Sequence, residues 1–403
     1  MNITIISNHY SPEDSGIGLY STGMAEFLAK KHNVKVIAAM PYYPQWEIYP
    51  EYKEKSKFCR EIINNVEVFR FKQYTPKNPS FLKRIYQMCH FFIGSIVNVF
   101  KIKKNDVVIV VMPFTISILL GRMVKFFRGG KLLVHIQDFE FDAAFETGLS
   151  KKSGLLTKLV FYVERFLLNQ ADSISTISYG MLKKLETKTS SATSYFPNWI
   201  DYSKINPGVS KPSLIFDPLK FNILYSGNIG AKQDWDFFID FVSTCQEIEQ
   251  VHIYLIGEGA KRKEVVESLR DFKNCTYYPP VRYEELNDLL CNADLHLLFQ
   301  KDTVVDTVMP SKILGMMASA KPSIVTGHKD SEVKFNFEIS KGGFYFYDKG
   351  KMEQIIGVLK ELIQNPSQSE IIGNAARKFI IEKYCMESVL EQFQEDIEKC
   401  IQM

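Results

Sequence analysis

The sequence predicts an α/β protein built as two doubly wound, Rossmann-like domains facing a central cleft. Three observations lead there. Short apolar, β-branched runs alternate with longer segments of helical period along the whole chain, the pattern of parallel strands covered by helices. The pattern breaks once, around 197–221, where Pro197, Pro207, Gly208, Pro212 and Pro218 cluster without periodicity, and then resumes. A length of 403 residues, 46% hydrophobic and 24% charged, suits two or three domains with sizeable cores, to which 30 Phe, 20 Tyr and 3 Trp contribute. The same composition excludes a disordered chain, a collagen, a coiled coil and a small disulfide-stapled scaffold.

ITIIS (3–7) opens the first domain, and a helix over 17–31 follows with Leu19, Met24, Phe27 and Leu28 on its apolar side. VKVIAAM (34–40), VEVFRF (66–71), DVVIVVM (106–112), KLLVHIQ (131–137) and SISTIS (173–178) are the further strands. DVVIVVM is apolar on both faces and therefore central. After the break come FNILYSG (221–227), VHIYLIG (251–257), CTYYPP (275–280), ADLHLLF (293–299) and PSIVTG (322–327). The tail from 352 to 403 is helical, with breaks at Asn365-Pro366 and near Tyr384. The domains are expected at 1–205 and 214–385.

Residues 1–200 carry 26 Lys and Arg against 16 Asp and Glu, a net +10, and the remainder 23 against 30, a net −7. A basic half can face an anionic bilayer, nucleic acid or a phosphorylated substrate, or be an ordinary solvated surface. The seven cysteines are odd in number, scattered and never spaced as CxxC, so neither a disulfide framework nor a structural zinc site is supported. The start lacks the basic region of a signal peptide, and the expected location is the cytoplasm. The longest apolar stretches, 85–100 with His90 and Asn98 and 107–121 with Pro113, fall short of the roughly 18–20 residues a membrane span needs. Residues 81–104 have basic ends around an apolar centre, which suits a helix lying on a membrane and equally a buried helix with solvated ends.

Ligands of doubly wound sheets bind at the carboxyl ends of strands, so the loops there carry the candidate chemistry. After the first strand, Gly16 and Gly18 open a helix and serve either an anion or a tight turn. The loop is too long for a dinucleotide fingerprint and no acidic residue follows VKVIAAM, which argues against a nicotinamide site. Tyr225 to Gln233 supplies Gly227, Asn228 and Lys232, suited to a diphosphate through backbone donors and a compact cation. Gly257-Glu258-Gly259 repeats the arrangement after the next strand. Beyond ADLHLLF, Asp306 precedes Pro310-Ser311-Lys312 at a helix start. A lysine there opposes the helix dipole, and a bound anion supplies its reason; the alternative is a side chain extended to solvent. His135, Asp138, Glu140 and Asp142 put a histidine and three carboxylates at a strand end, able to hold sugar hydroxyls or orient an acceptor proton. His135 serves equally as a hydrogen-bonded core residue. No second histidine lies near, so no metal site is predicted.

Taken together, SPEDSGIGLYSTGMAEFLA (11–29), PYYPQW (41–46), HIQDFEFDAA (135–144), STIS (175–178), FPNW (196–199), LYSGNIGAKQ (224–233) and MPSK (309–312) resemble family 4 glycosyltransferases of the GT-B fold, of the colanic-acid biosynthesis type. The resemblance implies a retaining transfer from a UDP- or GDP-linked nucleotide-sugar on the second domain to an acceptor on the first. It implies that Gly227, Asn228, Lys232, Ser311 and Lys312 hold the donor diphosphate, with Gly257, Glu258 and Asp306 also on the donor side. Lys232 and Lys312 then stabilise the leaving group, in place of a metal or other cofactor. Gly16 and Gly18 would close over donor phosphate and acceptor, His135 would lie on the acceptor side, and Asp138 would face the reacting sugar. The last residues, 386–403, would cross back to the first domain. One departure stands out. Many members carry two glutamates separated by seven residues, the second binding the nucleotide ribose; that position is Gly315 here, with Thr307 eight residues earlier and Asp306 beside it.

The expected protein is a cytoplasmic transferase, peripheral on the inner membrane face, that extends a lipid-diphosphate-linked saccharide for a surface polysaccharide, with no nucleic-acid partner. A nucleotide-sugar epimerase of the same architecture and a noncatalytic GT-B-shaped partner in a polysaccharide assembly complex are the alternatives. Retained Lys232, Ser311 and Lys312 speak against the last.

Overall fold

The computed structural model describes residues 1–78, 80–139, 154–303, 311–348 and 350–402. The chain divides into two compact units, Met1–Asn198 with Val389–Met403, and Trp199–Ser388.

The first unit runs β1 (Asn2–Ser7), α1 (Gly16–Ala29), β2 (Asn33–Ala39), α2 (Pro50–Lys53), β3 (Phe58–Ile63), β4 (Val66–Phe71), α3 (Phe81–Lys101), β5 (Val107–Met112), α4 (Ser117–Arg128), β6 (Lys131–Ile136), α5 (Leu155–Leu168), β7 (Ser173–Thr176), α6 (Tyr179–Lys188) and β8 (Ala192–Tyr195). Its sheet has the order β3-β4-β2-β1-β5-β6-β7-β8. Every pair is parallel except the β3–β4 hairpin. All six side chains of β5 are buried, which fits its place between β1 and β6. The hairpin turns on Asn64 and Asn65, both at positive φ, the geometry that matches the twist of paired strands.

The second unit runs β9 (Phe221–Ser226), α7 (Trp235–Thr244), β10 (Val251–Ile256), α8 (Arg262–Leu269), β11 (Cys275–Tyr278), α9 (Leu286–Asn292), β12 (Leu295–Phe299), α10 (Lys312–Ala318), β13 (Ser323–Thr326), α11 (Glu332–Ser340), β14 (Phe344–Phe346), α12 (Lys351–Gln364) and α13 (Pro366–Tyr384). Its all-parallel sheet has the order β11-β10-β9-β12-β13-β14. Strand order reverses between β9 and β12, so the loops after these two strands flank the position where doubly wound sheets bind ligands.

A last helix, α14 (Met386–Gln402), returns the chain to the first unit. Val389, Leu390, Phe393 and Ile397 are its buried side, and the Phe393 ring stacks on Phe196 at 3.8 Å. Residues 199–205, expected in the first domain, belong to the second unit. Ile205 joins its core, and the Arg377 guanidinium donates to the carbonyls of Tyr202 (3.2 Å), Ile205 (2.6 Å) and Ala318. Ile200 also exchanges backbone bonds with Tyr384 and Met386 at the end of α13. Prolines mark where the chain loses periodicity; these contacts decide which core the segment joins.

Candidate active site

In the second unit, Gly227 follows β9 at φ +128 and donates its N–H to the Ile256 carbonyl at 2.9 Å. Ile229 N–H donates to the Glu258 carbonyl at 2.9 Å, and Gly230 N–H to Gln233 Oε1 at 3.1 Å. These three donors are spent on the chain itself, so backbone contact of this loop with a diphosphate would fall to its other N–H groups. The glycines serve close approach instead. A Cβ on Gly257 would fall on the Gly227 carbonyl, and one on Gly259 on the Ile229 carbonyl. Bare backbone therefore layers the loops after β9 and β10, with Asn228 beside Gly259.

Over these layers lies Lys312, the first residue of α10. Its Nζ donates to the Tyr225 hydroxyl at 2.9 Å and sits 4.3 Å from the centre of that ring. A Cβ on Gly227 would be only 3.0 Å from the same nitrogen, so the missing side chain makes room for the ammonium. Tyr225 donates in turn to the Asn228 carbonyl (2.7 Å), and Trp235 Nε1 to the Gly230 carbonyl (2.7 Å), which ties the loop to the core. Lys312 as a residue keeps some exposure, yet its ammonium lies deep enough that burial lowers the pKa from 10.5 to about 7. Among the described residues no carboxylate pairs with it. The solvent-extended alternative is thereby excluded.

Of the other donor-side candidates, Lys232 is half-buried, and its carbonyl accepts from Lys301 N–H at 3.1 Å. Ser311 is exposed ahead of α10 and makes no side-chain cap. Glu258 is exposed and paired with Arg262 at 2.8 Å. Gly315 lies one turn into α10, where a Cβ would meet only Leu290 Cδ1 at 3.2 Å; close approach of backbone does not explain it. Asp306, Thr307, Glu140 and Asp142 lie outside the described residues.

In the first unit, the loops after β1 and β2 are joined by Glu13, a residue 2% exposed. Its carboxylate accepts the backbone N–H groups of Tyr42 (2.7 Å) and Tyr43 (2.9 Å) and holds His9 Nδ1 at 2.7 Å. Asn8 Nδ2 donates to the Tyr42 hydroxyl at 2.8 Å. Arg70, fully buried on β4, donates to the carbonyls of Ala39 (2.9 Å) and Ser11 and pairs with Glu61. Gly16, at φ +54, would bring a Cβ 3.8 Å from the Tyr43 ring, and Gly18 lies so near Glu13 that a Cβ would come within 2.8 Å of it. The two glycines thus belong to a polar network that sequence reasoning missed. Its signal was an acidic residue in a long loop just ahead of Gly16, facing the tyrosines of PYYPQW.

His135 is 2% exposed on β6. Gln137 Nε2 lies 2.9 Å from its Nε2, which leaves the proton on Nδ1, 3.0 Å from Ser175 Oγ. Burial lowers its pKa to about 3, so it is neutral at ordinary pH. Of its two sequence readings the core one holds, and direct contact with an acceptor is corrected: both nitrogens are engaged beneath the surface. Asp138 is half-buried two residues beyond β6. Among the described residues, no three His, Cys, Asp or Glu gather as metal ligands would.

A family profile described as glycosyl transferases group 1 matches residues 220–365. WcaI of Escherichia coli (strain K12), which bears the name of a colanic acid biosynthesis glycosyl transferase, is 31% identical over 98% of this chain and all of its own length. This chain belongs to the WcaI-type glycosyltransferases. Among solved structures, sucrose-phosphate synthase of Thermosynechococcus elongatus superposes with a TM-score of 0.76 at 12% identity, covering 99% of this chain and 98% of that one. Anabaena HepE, solved with UDP and glucose, gives 0.71 at 13% identity, covering 98% and 99%. At such identities these likenesses speak for the fold, which is GT-B. In this WcaI-type glycosyltransferase the family match encloses every donor-side candidate, from Gly227 to Lys312, and the Glu13 network lies in the other unit.

Proposed function

We propose that the protein is a retaining, metal-independent glycosyltransferase of family 4 that moves a sugar from a UDP- or GDP-linked donor to a lipid-diphosphate-linked saccharide. It works in the cytoplasm, at the inner face of the membrane, in making a surface polysaccharide: exopolysaccharide, capsule or O-antigen. The name of the E. coli relative supports the pathway class, and HepE, solved also in complex with UDP-glucose, supports a nucleotide-sugar as donor. The observation that carries the reading is the buried ammonium of Lys312, which no carboxylate among the described residues pairs with. When the bond from the anomeric carbon to the diphosphate breaks, its electron pair goes to the diphosphate, and a desolvated cation stabilises that anion far better than one in water. In this reading Asn228, Lys232 and Ser311 complete the diphosphate site, Gly227 serves it by leaving room for the Lys312 ammonium, and Gly257, Glu258 and Asp306 lie nearby. Gly16, Gly18 and Asp138 lie on the acceptor side.

The test is thermal unfolding in EDTA with UDP, with GDP and with neither. A ligand at 100 times its Kd adds about 2.7 kcal/mol to the folded state. One nucleotide should raise Tm by several degrees without metal, and the shift should vanish in Lys312→Ala. Absence of any shift with either nucleotide would sink the donor assignment.

A further inference from the structure

The helices α3, α4 and α5 are consecutive connections, β4 to β5, β5 to β6 and β6 to β7, and each steps the same way across the sheet. Right-handed crossovers put all three on one face of the first unit, and α4 touches both neighbours. That face is apolar where solvent is expected. Of the 21 large hydrophobic side chains exposed among the described residues, 11 lie on these three helices. On α3 they fall at 82, 86, 93, 97 and 100, a single stripe about 27 Å long at about 1.5 Å per residue. Gln87, Phe91, Ser95 and Val99 are buried on the opposite side. On α5 they fall at 159, 162, 163 and 166, again one side. Phe127 bridges the α3 stripe to α4, with ring centres 5.3 Å from Phe100 and 5.1 Å from Phe126.

Charge on these three helices is predominantly basic, although Lys125 is paired with Asp172 at 2.6 Å. The three helices carry eight Lys and Arg, while α3 and α4 contain no Asp or Glu. The one acid of α5, Glu164, is 2% exposed and bonded to Lys188 at 2.5 Å. Exposed apolar residues of the second unit are instead scattered over separate loops and helices, such as Leu214, Phe335 and Ile371.

We infer that the α3–α4–α5 face docks the first unit on an anionic lipid bilayer, with Tyr86, Ile93, Phe126, Tyr162 and Phe166 entering the headgroup boundary and the basic side chains on lipid phosphates. The inference rests on the lipid-linked acceptor of the reading above and assigns the surface that brings the enzyme to it. A second copy of the chain is a poor occupant, because the basic excess of the three helices would face itself across such an interface. Contact is peripheral: among the described residues no helix is long and apolar enough to cross a membrane.

Flotation of the full chain with vesicles tests this. Vesicles of 30% phosphatidylglycerol in phosphatidylethanolamine should bind the protein at least tenfold more strongly than pure phosphatidylcholine, and 1 M salt should remove most of the difference. The triple variant Phe126→Ser, Tyr162→Ser, Phe166→Ser should bind the anionic vesicles at least tenfold more weakly with an unchanged Tm. A separate variant, Lys83→Glu with Arg122→Glu, should lose the lipid-charge preference. No binding to anionic vesicles at low salt, or variants that bind like the wild type, overturns the inference. So does a wild-type dimer that the triple variant abolishes. Nucleotide-induced Tm shifts, read on the same preparations, report the donor reading independently, so failure of either leaves the other visible.

Discussion

Both units hang loops from the carboxyl ends of parallel strands, but they shape them by opposite means. The second unit removes side chains: Gly227, Gly257 and Gly259 let backbone pass over backbone, and one buried cation, Lys312, fills the space. The first unit adds them: Glu13, His9, Asn8, Tyr42 and Arg70 form hydrogen-bonded contacts that pin two loops together. A desolvated lysine that no carboxylate among the described residues pairs with costs stability until an anion arrives, whereas a carboxylate that accepts two backbone N–H groups, as Glu13 does, holds its loops without a ligand. The contrast teaches that a group kept at a cost points to a ligand more sharply than one kept at a gain.

The largest expected effect is on Lys312→Met, which should weaken nucleotide binding at least about 100-fold while raising the stability of the free protein by about 1–2 kcal/mol, since a buried charge is replaced by an apolar chain of similar length. Calorimetric titration and urea unfolding read the two halves; a variant less stable than the wild type would break the comparison. Next, Gly257→Ala should cost about 3 kcal/mol, because its Cβ meets the Gly227 carbonyl. Gly16→Ala in the first unit, with space around its Cβ, should cost only the left-handed penalty of about 1–2 kcal/mol. Equal costs in denaturant melts would remove the distinction.

Glu13→Ala should lower stability by about 1–3 kcal/mol through the orphaned N–H groups of Tyr42 and Tyr43, with the nucleotide-induced shift retained. Loss of that shift would mean the two networks are not separate. A smaller effect concerns pH. Lys312 titrates near 7 in the free protein, and a bound diphosphate favours its charged form, so binding takes up a proton above pH 7. Affinity for the nucleotide should therefore fall between pH 7 and 9, by at most about tenfold per pH unit. The unfolded lysine holds its proton up to about 10.5, so stability of the free protein should rise across the same window. His135, with a pKa near 3, should add no step there. Smallest of all, Gly315→Ala should change stability by less than about 1 kcal/mol, the helix-propensity gain being offset by the contact with Leu290.

The alternation of strands and helices, the two doubly wound halves and the loops worth inspecting were legible before any fold was seen, because apolar period and glycine, proline and lysine placement are local properties. Short or edge strands were not: β3, β8 and β14 have partly buried patterns with weak alternation, although Asn64-Asn65 was a legible hairpin signal. Only the tertiary arrangement sets that residues 199–205 join the second core, that His135 is sealed beneath the sheet end, and that the N–H groups of Gly227, Ile229 and Gly230 are already used. It also decided the burial of Lys312, set by a tyrosine 87 positions away. Burial and charge pairing depend on what the fold brings from a distance, so a lysine whose place at a helix start already pointed to an anion is seen to be desolvated only with Tyr225 and Gly227 around it.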